Sequence, residues 1–377
     1  MNRRSLLPLV ILIFVALFLV QCSPQPAAPE QVEVTRIVEQ TVEEVVEVTR
    51  IVEREVEVEG EAVEVTRVVE VPAEPLIVRI AFPSIIDVDD VAALLAFEAM
   101  AEEGFPVVPT FYAQGELAAA AVAAGQADMG AGAATVWLNA INNGAPIAGI
   151  MEQAANGWSV VSRIEIEDCA DVDGQRTAIH SEGSVSTAML YAWIDSTCPE
   201  IEPEILVIPG SENRAAALLA GEIDVTPAEL IDSVRIMELA PGEYHRIANF
   251  AVDLSGLRTG GFWVNRDFAE AHPEAVRAFI RNVLEIHRRI ADEPDWFQEQ
   301  VPRFLDMSEE DLAVLPTIVE ALLANDNYPV NGGLTEENAQ YTLDFFTDSG
   351  ALEPGLTMEE AYDLTALNDV LAEIGER

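Results

Sequence analysis

The chain has 377 residues, with 66 Asp and Glu against 20 Lys and Arg and a formal net charge of −46. All of the basic residues are arginine; no lysine occurs. A surface this negative repels nucleic acid and anionic headgroups, which excludes both as direct partners, and the missing lysine excludes any chemistry that begins with a lysine aldimine.

Arg3 and Arg4 precede an apolar run from Leu6 to Val20, followed by Cys22. This is the pattern of a signal peptide over residues 1–21. The run is short for a membrane-spanning helix, which needs ~20 residues; an uncleaved short anchor is the alternative. Leu19-Val20-Gln21-Cys22 resembles a lipobox, with Gln21 where a small residue is usual. Cys22 is therefore expected to carry a lipid that holds the chain to the membrane, with the remainder on the extracytoplasmic face. Cys169 and Cys198 remain as an even pair in an oxidising compartment, and a disulfide between them is expected. Two separate buried thiols are the alternative.

Residues 22–75 read as a tether and stalk. Ser23–Glu30 is rich in Pro and Ala, and VEVTRIVE at Val32 recurs at Val46 and, as VEVTRVVE, at Val63. Val34, Val38, Thr41, Val45, Val48 and Val52 alternate in steps of four and three, as a coiled-coil seam would. Nearly all are β-branched, which favours extended chain, and Gly60 breaks the register. A self-associating stalk and a disordered spacer both remain open.

From Leu76 the pattern alternates strand and helix. Strands are expected at Leu76–Phe82, Val107–Tyr112 and Ala127–Ala131, and helices at Val88–Glu103, Glu116–Ala124 and Thr135–Asn142. Near Gly174 the pattern restarts, with strands at Arg176–Ile179, Glu204–Ile208 and Glu222–Val225 and helices at Val185–Ser196, Asn213–Ala220 and Pro227–Glu238. The two passages align without a gap. Gly115 falls on Ser211, Gly125 on Gly221 and Asp128 on Asp224, each 96 apart (211−115, 221−125, 224−128). Alternation of this kind builds α/β layers with mostly parallel sheets, which bind ligands at the carboxyl ends of their strands. Asp128 and Asp224 are read as ties to nearby backbone. After Val264 the chain turns mostly helical, with a long helix starting at Pro273 and ending near Ile290.

The stretches AAVAAGQADMGAGAATVWLNAINNGAPI from Ala120, ADVDGQRTAIHSEGSVSTAML from Ala170, AAALLAGEIDVTPA from Ala215 and GGFWVNRDFAEAHPEAVRAFIRNVLEIHR from Gly260 resemble the type II periplasmic solute-binding proteins of ABC importers. The resemblance is strongest to the SsuA-like branch, which binds sulfonates, nitrate or thiamine pyrimidine precursors. It implies a two-lobed fold with extra C-terminal helices: lobe 1 from 76–165 plus 250–377, and lobe 2 from 166–249. It also implies a small-molecule ligand, and a permease and an ATPase as partners. A related branch makes the thiamine pyrimidine with pyridoxal phosphate, which this lysine-free chain cannot anchor. No enzyme, cofactor or metal site is expected. An adhesive lipoprotein oligomerising through its stalk is the alternative.

Ligand contacts are sought at helix N-termini facing the cleft. The candidates are Ser84 after the first strand, Thr135 after Gly130-x-Gly132, and Ser184, Ser186 and Thr187 after Gly183. Each hydroxyl also reads as a plain cap. Asn156 and Glu229 are added as polar contacts, with Trp137, Trp158 and Phe262 as stacking platforms or core. Asp87, Asp89 and Asp90 read as dipole partners of the first helix. Acidic neighbours oppose an anion, so a neutral or partly cationic heterocycle such as a vitamin precursor is favoured over a sulfonate or nitrate. His180 ends a strand near the cleft, whereas His272 and His287 read as solvent-facing.

Overall fold

The computed structural model describes residues 49–53, 66–70, 75–83 and 86–377. The signal-peptide and lipobox residues, with Cys22, lie outside them, as do Ser84 and most of the expected seam. The chain divides into two units, Met1–Glu74 and Pro75–Arg377. In the first, β1 (Thr49–Glu53) and β2 (Thr66–Glu70) pair antiparallel, Thr49 opposite Glu70. Over these ten residues the β-branched content prevails over the seam pattern.

The second unit holds two five-stranded sheets. The first comprises β3 (Val78–Pro83), β4 (Val107–Tyr112), β5 (Met129–Ala133), β6 (Ile147–Met151) and β12 (Gly260–Asn265), ordered β4-β3-β5-β12-β6. The second comprises β7 (Ser159–Arg163), β8 (Arg176–Ile179), β9 (Glu204–Val207), β10 (Val225–Ala228) and β11 (Tyr244–Asn249), ordered β11-β7-β10-β8-β9. In each sheet four strands share one direction. The fifth, β12 or β7, is antiparallel to both neighbours and is the first strand after a crossing between sheets. The two sheets thus have one topology.

The helices run in the order α1 (Val91–Glu102), α2 (Gly115–Ala123), α3 (Ala134–Asn142), α4 (Val185–Thr197), α5 (Ser211–Leu219), α6 (Leu230–Leu239) and α7 (Phe250–Asp253). They continue with α8 (Arg266–Ala271), α9 (Pro273–Asp292), α10 (Pro294–Gln300), α11 (Glu309–Ala324), α12 (Glu336–Asp348), α13 (Met358–Ala361) and α14 (Thr365–Ile374). Pro273 starts α9 because its missing N–H is one a first turn does not use. His287 on α9 is 1% exposed, not solvent-facing. Its Nδ1 lies 3.2 Å from the Pro329 carbonyl, and burial lowers its pKa to about 4. The C-terminal segment covers the face of α9 that the sequence pattern leaves to water.

The repeat acts through one tie made twice. The Asp128 carboxylate accepts the Arg79 backbone N–H at 2.7 Å and Nε at 3.0 Å. The Asp224 carboxylate accepts the Arg176 N–H at 3.2 Å and Nε at 2.8 Å. Each aspartate returns its own N–H to the same arginine's carbonyl, both at 2.8 Å. Gly125 and Gly221 precede the ties with φ of 68° and 70°, a region that disfavours a Cβ. The aspartates sit one step before β5 and β10, not inside them as expected.

The crossings occupy residues 152–158 and 250–259. The expected boundary at 165 falls too late, because β7 already belongs to the second sheet. Two interactions join the crossings. Arg258 Nη1 donates to the buried Glu152 carboxylate at 2.6 Å. Burial pushes that carboxyl up to about 8, against the pull of Arg258. Asn156 Nδ2 donates to the Phe250 carbonyl at 3.2 Å and its Oδ1 accepts the Trp158 N–H at 3.2 Å. Cys169 and Cys198 form a disulfide with Cα atoms 6.0 Å apart.

Gly130 explains part of the glycine-rich β5. A Cβ there would overlap the Trp263 indole, which lies flat across the strand and is fully buried. Trp137 and Phe262 are 2% and 1% exposed and pack in this core against Trp263 and Phe279, so neither is a ligand platform. Asp128→Ala and Asp224→Ala are each expected to lower the unfolding free energy by about 1–3 kcal/mol, since each strands a strand-terminal N–H and an arginine. Chemical denaturation checks this, and a loss confined to one of the two would contradict their equivalence.

Candidate functional site

The carboxyl ends of the first sheet's strands β3, β4 and β5 lead into the starts of α1, α2 and α3, and those of the second sheet's β8, β9 and β10 into α4, α5 and α6. On the first edge, Asp87 and Asp90 form a capping box: the Asp87 carboxylate accepts the Val88 N–H at 2.7 Å and Asp90 accepts the Asp87 N–H at 3.0 Å. Asp90 also accepts Gln153 Nε2 at 2.7 Å. From the second edge, Arg235 on α6 reaches back with both terminal nitrogens, at 2.9 and 3.1 Å, to the Asp87 carboxylate. This fork joins the two lobes directly. Behind it, Ile231 and Val234 of α6 pack in one apolar cluster with Val88, Val91, Ile318 and Tyr328.

Two carboxylates of this group engage no other side chain among the described residues. Asp89 stands between the capping aspartates, and Glu229 stands where β10 turns into α6. Asp89 is half-buried and Glu229 exposed, yet protein atoms crowd around both carboxylates. Burial raises Asp89 well above the ordinary carboxylate range, and Asp90, Glu229 and Asp87 push it further. Burial raises Glu229 to about 8, Asp232 adds to this, and Arg214 opposes it. Asp90 rises to about 6, chiefly through burial, with its hydrogen bonds holding it back. Glu229 of one lobe therefore acts on Asp89 of the other, and Asp87 and Asp90 act on Glu229. A group so crowded with like charge, and so short of counter-charge, marks a functional site on physical grounds.

The expected contacts divide. Glu229 is at the centre of this group. Ser184 is the N-cap of α4, its Oγ 3.4 Å from the Thr187 N–H and 2.9 Å from Thr187 Oγ1. Ser186 and Thr187 are 2% and 0% exposed, so this cluster is turned inward on itself. Thr135 is 4% exposed in the first turn of α3, where its carbonyl accepts Asn139 Nδ2 at 2.8 Å. No hydrogen bond connects Thr135 or the Ser184 cluster to the carboxylates. The Asn156 amide, expected at the ligand, is spent on the crossings instead. Trp158 is half-buried, with the Arg214 guanidinium 6.0 Å from its ring. His180 is exposed and its Nδ1 accepts the Gly210 N–H at 3.1 Å.

The sequence reading placed no arginine at the cleft, but Arg214 and Arg235 are both there. Arg214 is 0% exposed and donates to the carbonyls of Gly210 at 3.0 Å, Ile208 at 3.3 Å and Pro227 at 3.2 Å, and to Thr226 Oγ1 at 3.1 Å. Its partner in the repeat is Ala118 (214−118 = 96), as that of Glu229 is Ala133 (229−133 = 96). These departures from the repeat are the signal that locates both. A depression of about 690 Å³, lined by Glu336, Glu337, Gln340 and Leu356–Glu359, includes none of the carboxylate group. The described residues include no cluster of His, Cys, Asp and Glu suited to a metal, and no helix among them is long and apolar enough to cross a membrane.

The family model described as NMT1/THI5 like matches residues 100–296. No curated protein matches the chain. Among solved structures the chain is similar to the ligand-binding component of an ABC-type import system from Staphylococcus aureus, at 9% identity and a TM-score of 0.62, over 78% of this chain and 99% of that one. It is similar to the alkanesulfonate-binding protein SsuA from Xanthomonas axonopodis pv. citri bound to MOPS, at 18% identity and a TM-score of 0.58, over 77% and 99%. It is also similar to the periplasmic nitrate-binding protein NrtA from Synechocystis PCC 6803, at 12% identity and a TM-score of 0.59, over 80% and 90%. At these identities the likeness establishes the fold, the two-lobed periplasmic-binding-protein architecture.

Glu229 titrates near 8 in the folded protein against 4.5 for a free glutamate, so the folded state holds the extra proton between these values. Stability attributable to this group is therefore greatest at low pH and declines as pH rises towards 8. Glu229→Gln is expected to raise the melting temperature more at pH 8 than at pH 5. Calorimetry at the two pH values checks this, and an equal or smaller rise at pH 8 would contradict it.

Proposed function

We propose, because the chain belongs to the NMT1/THI5-like family, that it is an extracytoplasmic receptor. It captures one small molecule between its lobes and delivers it to an ABC permease driven by its ATPase. No bond is made or broken. The observation that carries this reading is the Arg235–Asp87 fork between the lobes, which gathers Asp89 and Glu229 at the strand ends where open α/β sheets bind ligands. The names of the solved structures, a ligand-binding component of an ABC-type import system, an alkanesulfonate-binding protein and a periplasmic nitrate-binding protein, agree in class. Lobe closure is hinged on the two crossings, which Arg258–Glu152 and Asn156 keep in step. Cys22 holds the receptor to the membrane by its lipid.

The ligand favoured is a small nitrogen heterocycle of the kind that precedes a vitamin. A sulfonate or nitrate would enter among carboxylates, and the two nearest guanidinium groups are already engaged, by Asp87 and by backbone carbonyls. Thermal-shift titration with pyrimidines, flavins and alkanesulfonates tests the receptor reading, followed by small-angle scattering with any solute that raises the midpoint. One class is expected to raise it by several degrees with a smaller radius of gyration. Indifference to every solute, combined with stalk-driven trimers of the full chain, would support the adhesive alternative instead.

A further inference from the structure

We infer that the cleft selects an organic cation, whose N–H groups are clasped between Asp89 and Glu229 and whose acceptor atom meets the Tyr328 hydroxyl. This rests on the receptor reading of the same cleft and narrows its ligand. The other carboxylates of the group already have partners. Asp87 takes the Arg235 fork, Asp90 takes Gln153 and the Asp87 N–H, and Asp232 lies 3.8 Å from Arg235 Nη1. Among the described residues Asp89 and Glu229 take no hydrogen bond from any other side chain, and Arg214, which acts on Glu229, has its donors committed to carbonyls and Thr226. The position between them lacks one positive charge and N–H donors to satisfy two carboxylates.

A second observation points to the same place. Tyr328 is 3% exposed and its hydroxyl has no hydrogen-bond partner, although a buried hydroxyl is normally paired. It packs in the same apolar cluster as Val88, Val91 and Ile231, and the carboxylates acting on it are Asp89, then Asp90 and Asp87. Its ring is fixed by Phe297 at 5.3 Å and His287 at 5.5 Å, between centroids. The adjoining Asn327 is 3% exposed, and its Nδ2 is likewise unpartnered. The orphaned Tyr328 hydroxyl near two unengaged carboxylates describes a ligand that is cationic along one edge and carries an acceptor on another. Such a cation displaces a proton from Glu229, whose charged neighbours are Asp87, Asp89 and Asp90 on the α1 side, Asp232 and Arg235 on α6, and Arg214 with Glu212 on α5.

Calorimetric titration of the whole chain tests this, with benzamidine and 4-aminopyridine as cationic probes, 4-methylpyridine as a neutral isostere, and methanesulfonate and nitrate as anions. At pH 8 at least one cation is expected to bind about 10-fold or more tighter than the isostere and than either anion. Glu229→Gln is expected to weaken that cation by about 10-fold or more. Tyr328→Phe is expected to weaken a probe bearing an acceptor, such as 4-amidinobenzamide, more than it weakens benzamidine. Benzamidine affinity should rise from pH 6.5 to pH 9 in the natural chain and stay flat in Glu229→Gln, a variant expected to fold because it relieves repulsion. Tighter binding of either anion, or cation binding unchanged by Glu229→Gln, overturns the assignment while leaving a receptor. Failure of both cations to bind also overturns it. Failure of the receptor reading is separate, seen as absence of compaction with any solute.

Discussion

Glu229, at the edge of the second sheet, makes it harder for Asp89, at the edge of the first, to ionise, and Asp87 and Asp90 do the same to Glu229. In water such a pair would separate; here the lobes hold it together. The Arg235–Asp87 fork and the apolar cluster behind it keep α6 against the start of α1. The carboxylates are thus crowded by interactions they do not make themselves. The stability given up at this crevice is available to whatever restores the missing charge, a common relation between strain of charge and binding.

The rest of the fold serves to bring these two positions together. Each lobe is the same strand order, stapled at the same place by an arginine whose backbone and guanidinium both reach one aspartate. The antiparallel strand that follows each crossing, β7 or β12, returns the chain into its sheet and leaves both crossings side by side. Arg258 on one crossing and Glu152 on the other then form a pair whose buried carboxylate would be costly to leave alone. Movement of the lobes must pass through these few residues.

The sequence made the duplicated part of this plan legible because the repeat carries both period and punctuation. Hydrophobic alternation, the left-handed glycines and the two aspartates recur together, so β3–β5 and β8–β10 were found within a few residues. The strands outside the repeat, β6, β7, β11 and β12, carry no such punctuation, so the sequence pattern puts the first boundary after β7. His287 was misplaced because the chain that buries it arrives more than 40 residues later, at Pro329. At the site, Glu229 was legible from its strand-end position, and Arg214 could have been found as a break in the repeat. Tyr328 could not: it follows α11 in a loop, and nothing local ties it to the start of α1.

The most direct test of the central claim is hydrogen–deuterium exchange on the whole chain with and without a bound solute. The account predicts protection gathered at residues 86–91, 152–158, 229–235 and 325–328, where the two lobes and the crossings meet. Protection centred on the surface near Glu336 and Leu356, with these four segments unchanged, would contradict it.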